Sequence, residues 1–493
     1  MQRAEHDGAL RVCRLQTASV NRINYMSLLD FDHDGNARDR DSLIALVASY
    51  EKGRESVFFD TSALEDIAAH YFESEEFTKC LGVVDHLLEL QPFDSDLWQQ
   101  RGVLLSYQGD NSGALEAFER ALELNPSASD VLISISAVLD ALGRKDEALE
   151  FLDRAEALNP LSADVYFCRG QVLSGAGLLS EAAEAFEDCV RLDENCSEAW
   201  FELGNCYGAI GEYDQSIAAY DRHLDQDPYC ADAWYNRGIT LGAAERWEES
   251  VESFDMALVI DESLSWAYVH RGNALMMLRR FGKAIADFEC VLQSDVLDGS
   301  PLVSLGYAHA HLEQYTEAMK YFRKALEVDD TFAEAWCGLG RCYDALDQHR
   351  NAIKCIDKAL ALAPDSVEYM YSKGDFYRNS GAVRPALSCY KKVVHVQPGN
   401  HAAWVDLADM LLAVEAFAKA LHAYRRALDI EPTCARSWFQ HGKLLFLRGR
   451  EDEGIGSFKE AFRLEPGLVE DFKEFCPGLY QDRRVRGRLG LTS

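Results

Sequence analysis

The sequence has few basic residues for its length and no long apolar run. Its uninterrupted apolar stretches, such as residues 43–48, are far shorter than the ~20 residues that a membrane-spanning helix needs. Lys and Arg number 49 against 82 Asp and Glu, which gives a formal net charge of −33. Because binding to a phosphate backbone depends on Lys and Arg, we predict no nucleic acid, no membrane segment, and a basic or neutral protein surface as partner.

Paired cysteine motifs are also missing. None of the fourteen cysteines forms a C-x-x-C pair, so the sequence supports neither a zinc site nor a dithiol redox motif, and we predict no metal and no cofactor. The first 25 residues contain no apolar core of a secretory signal, so we expect a cytoplasmic protein with reduced thiols.

The segment before residue 61 is not repetitive. Residues 1–40 are predicted to be irregular, and Met26 is an alternative start of the native chain. The carboxylates of Asp30, Asp32, Asp34 and Asp41 follow the spacing of an EF-hand loop, although the Glu that usually ends such a loop is absent. The alternative is an acidic turn that caps a following helix. Residues 41–60 are predicted to be an N-terminal capping helix and linker.

From Thr61 onwards the same pattern returns every 34 residues, twelve times, without insertion or deletion. Position 4 of the unit is large and position 8 is small. Position 4 is Leu64, Trp98, Leu132, Tyr166, Trp200, Trp234, Tyr268, Leu302, Trp336, Met370, Trp404 and Trp438. Position 8 is Ala68, Gly102, Ser136, Gly170, Gly204, Gly238, Gly272, Gly306, Gly340, Gly374, Ala408 and Gly442.

The second half of each unit has its own pattern. Position 20 is almost always small, position 24 is aromatic or aliphatic, and Pro stands at position 32 of many units, as in Ala182, Phe186 and Pro228. Positions 4, 7, 8 and 11 form one apolar helical stripe, and positions 20, 24 and 27 form another. Each unit is therefore predicted to be two helices that bury these stripes together and against the neighbouring unit.

This pattern closely resembles the tetratricopeptide repeat family, in a style similar to its bacterial members. The resemblance implies an all-α fold, a right-handed α-solenoid superhelix of stacked antiparallel helix pairs. Twelve units are expected over residues 61–468. Residues 469–493 are predicted to be a C-terminal capping helix, with Phe472 and Phe475 inward, and a basic tail that lies on the acidic solenoid.

The sequence contains no phosphate-binding loop, nucleophile elbow or H-E-x-x-H motif, so we predict that the protein is not an enzyme. Positions 2, 5, 6, 9, 12 and 13 lie opposite the apolar stripe of the first helix by helical arithmetic. The family resemblance implies that they line a peptide-binding groove. Position 2 is acidic in Asp96, Asp130, Asp164, Glu198, Asp232, Glu334 and Glu368.

At mid-sequence the groove positions depart from the family background, because aromatic and amide side chains replace the acids. Aromatic rings beside amides suit an extended peptide, since the amides hold its backbone and the rings its side chains. The predicted partner-binding residues are Phe201, Asn205, Tyr235, Asn236, Trp266, His270, Asn273, Met277, Tyr307 and His311.

Two other binding modes are less well supported by the residues. Co-chaperones of the family hold a C-terminal carboxylate with Lys and Arg at groove positions, but here Phe201, Trp266 and His270 replace these cations, so the charge pairing is absent. A second patch places Arg341 and Arg378 beside acidic residues. It is either an anion site or a self-neutralised surface.

The expected function is that of a non-enzymatic scaffold or adaptor, whose groove binds a partner peptide or helix that is basic or amphipathic. The alternative is a regulatory sensor whose solenoid binds a small peptide or metabolite. The identity of the partner and the oligomeric state do not follow from the sequence.

Overall fold

A computed structural model describes residues 40–52, 59–292 and 299–491. Within these residues the chain forms 28 helices and no strand, which confirms the all-α prediction. The chain divides into two compact units, Met1–Glu262 and Ser263–Ser493. The side chains of the predicted calcium loop, from Asp30 to Asp41, and the irregular segment up to residue 39 lie outside the described residues.

The helices are numbered in chain order. Those of the first unit are α1 Arg40–Lys52, α2 Thr61–Glu73, α3 Phe77–Leu90, α4 Ser95–Tyr107, α5 Asn111–Leu124, α6 Ser129–Ala141, α7 Lys145–Leu158, α8 Ala163–Gly175, α9 Leu179–Leu192, α10 Ser197–Ile210, α11 Tyr213–Gln226, α12 Ala231–Ala243 and α13 Trp247–Ile260.

Those of the second unit are α14 Ser265–Met277, α15 Phe281–Leu292, α16 Ser300–His311, α17 Tyr315–Val328, α18 Ala333–Ala345, α19 His349–Leu362, α20 Val367–Asn379, α21 Val383–Val396, α22 His401–Ala413, α23 Phe417–Ile430, α24 Ala435–Leu447, α25 Glu451–Leu464, α26 Leu468–Phe475, α27 Pro477–Gln481 and α28 Arg483–Leu489. In both units consecutive helices pack against each other as pairs, and each pair packs against the next. None of the described helices is long and apolar enough to cross a bilayer.

The contact between positions 8 and 24 explains how the two helices of a pair meet. A Cβ atom placed on Gly238 would come within 2.7 Å of the ring of Phe254, because that ring packs directly against the glycine. The same arrangement joins Gly204 to Tyr220 and Gly306 to Phe322. Glycine at position 8 therefore makes room for the aromatic ring at position 24.

Hydrogen bonds also connect the repeats that carry tryptophan at position 4 to the turn before them. The indole Nε1 of Trp234 donates to the carbonyl oxygen of Pro228 at 3.0 Å, and Trp438 does the same to Pro432 at 2.8 Å. Helix α11 ends at Gln226, two residues before Pro228, as expected because proline cannot continue the helix. The tryptophans of position 4 thus stabilise the junction between repeats as well as filling it.

The C-terminal helices close the last repeat. The ring of Phe472 in α26 is buried, with its centroid 4.8 Å from that of Phe458. The basic tail folds back as α28, where Leu489 is buried and Arg488 Nη2 lies 2.7 Å from Asp452 Oδ1 of α25. Phe472 therefore packs inward against the last repeat, and the tail contacts an acidic helix.

Candidate functional site

The ten predicted partner-binding residues fall into both units, and each unit is described separately. The first unit holds four of them, on α10 and α12: Phe201, Asn205, Tyr235 and Asn236. The second unit holds six, on α14 and α16: Trp266, His270, Asn273, Met277, Tyr307 and His311.

The two aromatic residues of the first unit are in the core. Phe201 is only 5% exposed and Tyr235 8%. The ring of Phe201 packs edge-on against Tyr220, at 5.9 Å between centroids, and that of Tyr235 lies 5.9 Å from Phe254. These rings therefore present almost no contact area to a partner.

The two amides of the first unit bond to each other. Asn205 Oδ1 accepts hydrogen bonds from Tyr220 Oη at 2.6 Å and from Asn236 Nδ2 at 3.1 Å, and Asn205 Nδ2 donates to Glu202 Oε2 at 3.1 Å. This network links the repeat of α10 to the repeat of α12. It fixes the orientation of Asn205.

Glu202 belongs to the same surface, although the sequence analysis did not single it out. Burial raises the pKa of its carboxyl group, and the hydrogen bond from Asn205 opposes the rise. Glu202 stands at position 6 of its repeat, one of the predicted groove positions, so its location could have been read from the sequence. A carboxylate sheltered in this way is suited to receive a cationic or hydrogen-donating group.

The acidic residues at position 2 form a second polar feature of the first unit. We define the acidic row as Asp96, Asp130, Asp164, Glu198 and Asp232, one from each of five successive repeats. Among the described residues, none of them has a salt bridge. Burial and then repulsion by Asp130 and Asp193 raise the pKa of Asp164, while burial and then repulsion by Asp261 raise that of Asp232.

In the second unit four predicted residues lie on one side of α14. Trp266, His270, Asn273 and Met277 are spaced i, i+4, i+7 and i+11 along the helix, which places them within about 60° of one another over three turns. We call this set the α14 stripe. Trp266 is 49% exposed and Met277 60%, so the ends of the stripe are open apolar surface.

The middle of the stripe is more enclosed. His270 and Asn273 are partly buried, and burial lowers the pKa of His270 to about 4. Its imidazole is therefore neutral at neutral pH. The α14 stripe presents two large apolar side chains, a neutral imidazole and an amide, without a formal charge.

The two residues of α16 have different surroundings. Tyr307 Oη donates to the backbone oxygen of Glu334 at 3.1 Å, and its ring packs against Phe322 at 5.1 Å. His311 is exposed and stacks on Phe281, with ring centroids 4.9 Å apart. Tyr307 is thus positioned by the fold, whereas His311 remains accessible.

The arginine patch of the second unit neutralises itself. Arg341 Nη2 lies 2.8 Å from Glu368 Oε1, and Arg378 pairs with Asp406 and, at 2.9 Å, with Asp375. The structure therefore supports the self-neutralised interpretation of this patch rather than an anion site.

Comparison with known families gives one consistent description. Five models described as tetratricopeptide repeat match residues 67–134, 105–166, 169–229, 207–264, 300–332, 333–366, 377–433 and 411–468. Among curated proteins, none matches the sequence.

Solved structures with likeness to the chain include three repeat proteins. YrrB, described as a TPR protein with an unusual peptide-binding site, is 27% identical with a TM-score of 0.32, over 37% of this chain and 95% of that chain. Yeast Tom70 is 16% identical with a TM-score of 0.41, over 84% and 98%. Cut9 in the APC/C hetero-tetramer Cut9-Hcn1 is 13% identical with a TM-score of 0.39, over 92% and 98%.

Proposed function

The chain belongs to the tetratricopeptide repeat family, and on that premise we propose that it is a scaffold that binds a basic or amphipathic segment of a partner protein. Members of this family are typically non-enzymatic protein-interaction scaffolds. The proposed contacts are two surfaces, the acidic row of the first unit and the α14 stripe of the second.

The observation that carries this proposal is the acidic row. Five carboxylates stand in successive repeats, without a salt bridge among the described residues, and two of them have pKa values raised by burial and by other acids. Folding therefore brings like charges together without compensating them. A Lys- or Arg-rich segment would relieve this repulsion, and long-range attraction would accelerate its association.

The α14 stripe supports the apolar part of the proposal. Large exposed residues such as Trp266 and Met277 are favourable binding anchors. Tryptophan buries a large area and has few rotamers to lose, and the flexible side chain of methionine adapts to a partner surface. The uncharged His270 between them does not oppose an apolar contact. The apolar face of an amphipathic helix suits the α14 stripe, considered by itself.

The acidic row is tested with a defined probe, a fluorescent helical peptide of Lys and Leu, and with the same peptide carrying Glu in place of Lys. Asp130→Asn, Asp164→Asn and Asp232→Asn are combined in one full-length protein. We expect the Lys peptide to bind at least ~10-fold more weakly to this variant and with a smaller salt dependence, because screening acts on exposed charges. Fluorescence anisotropy at several salt concentrations measures both quantities.

The matched control removes three charges from the second helices of the same three repeats. Glu150→Gln, Glu184→Gln and Glu252→Gln change exposed acids at position 22 and should leave peptide binding nearly unchanged. Equal weakening by both triple variants would contradict a specific acidic surface, as would equal binding of the Glu peptide.

The α14 stripe is tested by Trp266→Ala combined with His270→Ala. We expect the binding free energy of the Lys-Leu peptide to weaken by about 2 kcal/mol, a typical loss when a tryptophan anchor is truncated. The salt dependence of binding should not change, because the two substitutions remove no charge. The control is Val328→Ala, which shortens an exposed apolar side chain on α17. Unchanged peptide affinity in the double variant would remove the stripe from the proposal.

A further inference from the structure

Three side chains with metal-binding chemistry meet where α11 ends and α12 begins. His223 lies in the last turn of α11, Asp227 follows this helix, and Cys230 immediately precedes α12. One potential ligand atom from each residue lies within 4.8 Å of the other two. In the described part of the chain, no other group of three His, Cys, Asp or Glu side chains meets this condition.

His223 is the most unusual member of the cluster. Its side chain is only 6% exposed, and Nδ1 lies 2.9 Å from the backbone oxygen and 2.8 Å from Oγ of Ser197. The other nitrogen, Nε2, is buried without a hydrogen-bond partner. If Nδ1–H donates to the Ser197 carbonyl, Nε2 keeps its lone pair, which is the tautomer that metal-ligating histidines adopt.

A buried nitrogen without a partner is unfavourable, so its presence needs an explanation. His223 occupies position 27, where the fold normally needs only a small apolar residue. Most of the other repeats have alanine there: Ala121, Ala155, Ala257, Ala325, Ala359, Ala427 and Ala461. Packing alone therefore does not require an imidazole at this place.

The other two side chains supply an oxygen and a sulfur. Asp227 is exposed, and its Oδ1 accepts a hydrogen bond from the backbone nitrogen of Tyr229 at 3.1 Å, which orients the carboxylate. Cys230 is partly buried at the start of α12. Burial raises the pKa of the Cys230 thiol, so this thiol is protonated in the free protein at neutral pH.

We propose that His223, Asp227 and Cys230 bind one transition-metal ion of the zinc class, through imidazole nitrogen, carboxylate and thiolate. Tetrahedral coordination with Zn–N near 2.0–2.1 Å and Zn–S near 2.3 Å needs ligand atoms about 3.3–3.8 Å apart. The ligand atoms would approach one another by about 1.5 Å at most, and water would complete the tetrahedron. Binding releases the thiol proton to solvent. The ion would join the end of one repeat to the beginning of the next.

The probe is Co²⁺, a spectroscopic substitute for Zn²⁺, added to the reduced full-length protein. We expect one equivalent to bind, with visible d–d bands and a near-ultraviolet thiolate-to-cobalt band, and stoichiometric Zn²⁺ to displace it. His223→Ala, Asp227→Asn and Cys230→Ser should each weaken Co²⁺ binding by tenfold or more, because loss of even an outer-sphere partner commonly costs about 10–100-fold. His223→Ala inserts the residue that most repeats carry and should not impair folding.

The control is Cys434→Ser. Cys434 also precedes the first helix of a repeat, but Ala427 stands where His223 stands in the cluster. The cobalt spectrum should remain unchanged in this variant and in Cys196→Ser. A wild-type protein without the thiolate band, a band that survives Cys230→Ser, or a band lost equally in a control would overturn the proposal. Peptide binding by the acidic row takes no part in this test.

Discussion

Both units carry carboxylates on the first helices of their repeats, but the surroundings of these carboxylates differ between the units. In the first unit Asp164 is repelled by Asp130 and Asp193. In the second unit Arg341 reaches Glu368 at 2.8 Å, and Arg378 bridges Asp375 and Asp406. Equivalent positions of a repeat therefore differ in role according to their neighbours, and position alone does not identify a binding residue.

This difference separates charges that stabilise the fold from charges that are open to a partner. Arg378 and its two aspartates also engage Tyr371 and Tyr390, so the network spans several helices of the second unit. Removing one member of such a network leaves the others partly buried and unpaired. The acidic row has no comparable cation among the described residues, so neutralising one of its members should cost little stability.

The largest effect is expected for Arg378→Leu. Asp406, only 15% exposed, would lose its cation, and Asp375 would lose it as well. Loss of one partner of a fully buried pair costs about 3–5 kcal/mol. Because Arg378 itself is 35% exposed, we expect the free energy of unfolding to fall by about 2 kcal/mol in urea denaturation.

Arg341→Leu provides the comparison within the same unit. Both partners of the Arg341–Glu368 pair are largely exposed, so its loss should cost less than about 1 kcal/mol. Equal losses in the two variants would contradict the distinction between a structural network and a surface pair.

A smaller effect is expected from protonation of His270. Burial lowers its pKa to about 4 in the folded chain, from 6.5 in the unfolded chain. Between pH 6.5 and pH 4 the unfolded state therefore binds more protons than the folded state. The free energy of unfolding is unaffected by His270 above pH 6.5 and falls as the pH is lowered towards 4. Because His270 is partly exposed, we expect a loss of about 1–2 kcal/mol rather than the full value of the shift.

His270→Gln should reduce this loss, measured by urea denaturation at pH 7 and pH 5. His395→Gln, which changes an exposed histidine of α21, should retain the wild-type dependence on pH. A pH dependence that is the same in all three proteins would show that His270 does not control acid stability in the second unit.

The fold was predictable because the repeat pattern records the contacts between helices directly. Gly238 and Phe254 recur at fixed spacing, and in the structure the ring packs on the glycine. The residues of position 5 were harder to place. Helical arithmetic puts Phe201 and Tyr235 at the edge of the groove side, but their rings turn towards Tyr220 and Phe254 and become buried, since a helical side chain leans towards the preceding turn.

Contacts across helix ends were not predictable from periodicity. The bond from Asn236 to Asn205 joins two repeats, and it depends on side-chain rotamers that the spacing does not fix. The cluster of His223, Asp227 and Cys230 spans the end of α11 and contains no C-x-x-C pair, so no familiar sequence motif marks it. The charge pattern of the acidic row was visible in the sequence, whereas the absence of neighbouring cations required the structure.

The smallest effect on stability is expected for Asp164→Asn in the first unit. The substitution relieves repulsion by Asp130 and Asp193, and it also removes a favourable interaction of about 0.3–1 kcal/mol between the carboxylate and the N-terminus of α8. Since Asp164 is exposed and these effects oppose each other, the free energy of unfolding at pH 7 should change by less than about 0.5 kcal/mol. The same protein should bind the Lys-Leu peptide more weakly. A destabilisation similar to that of Arg378→Leu would mean that the acidic row is part of the folded framework, because a carboxylate held only for a partner contributes to affinity and not to the stability of the free chain.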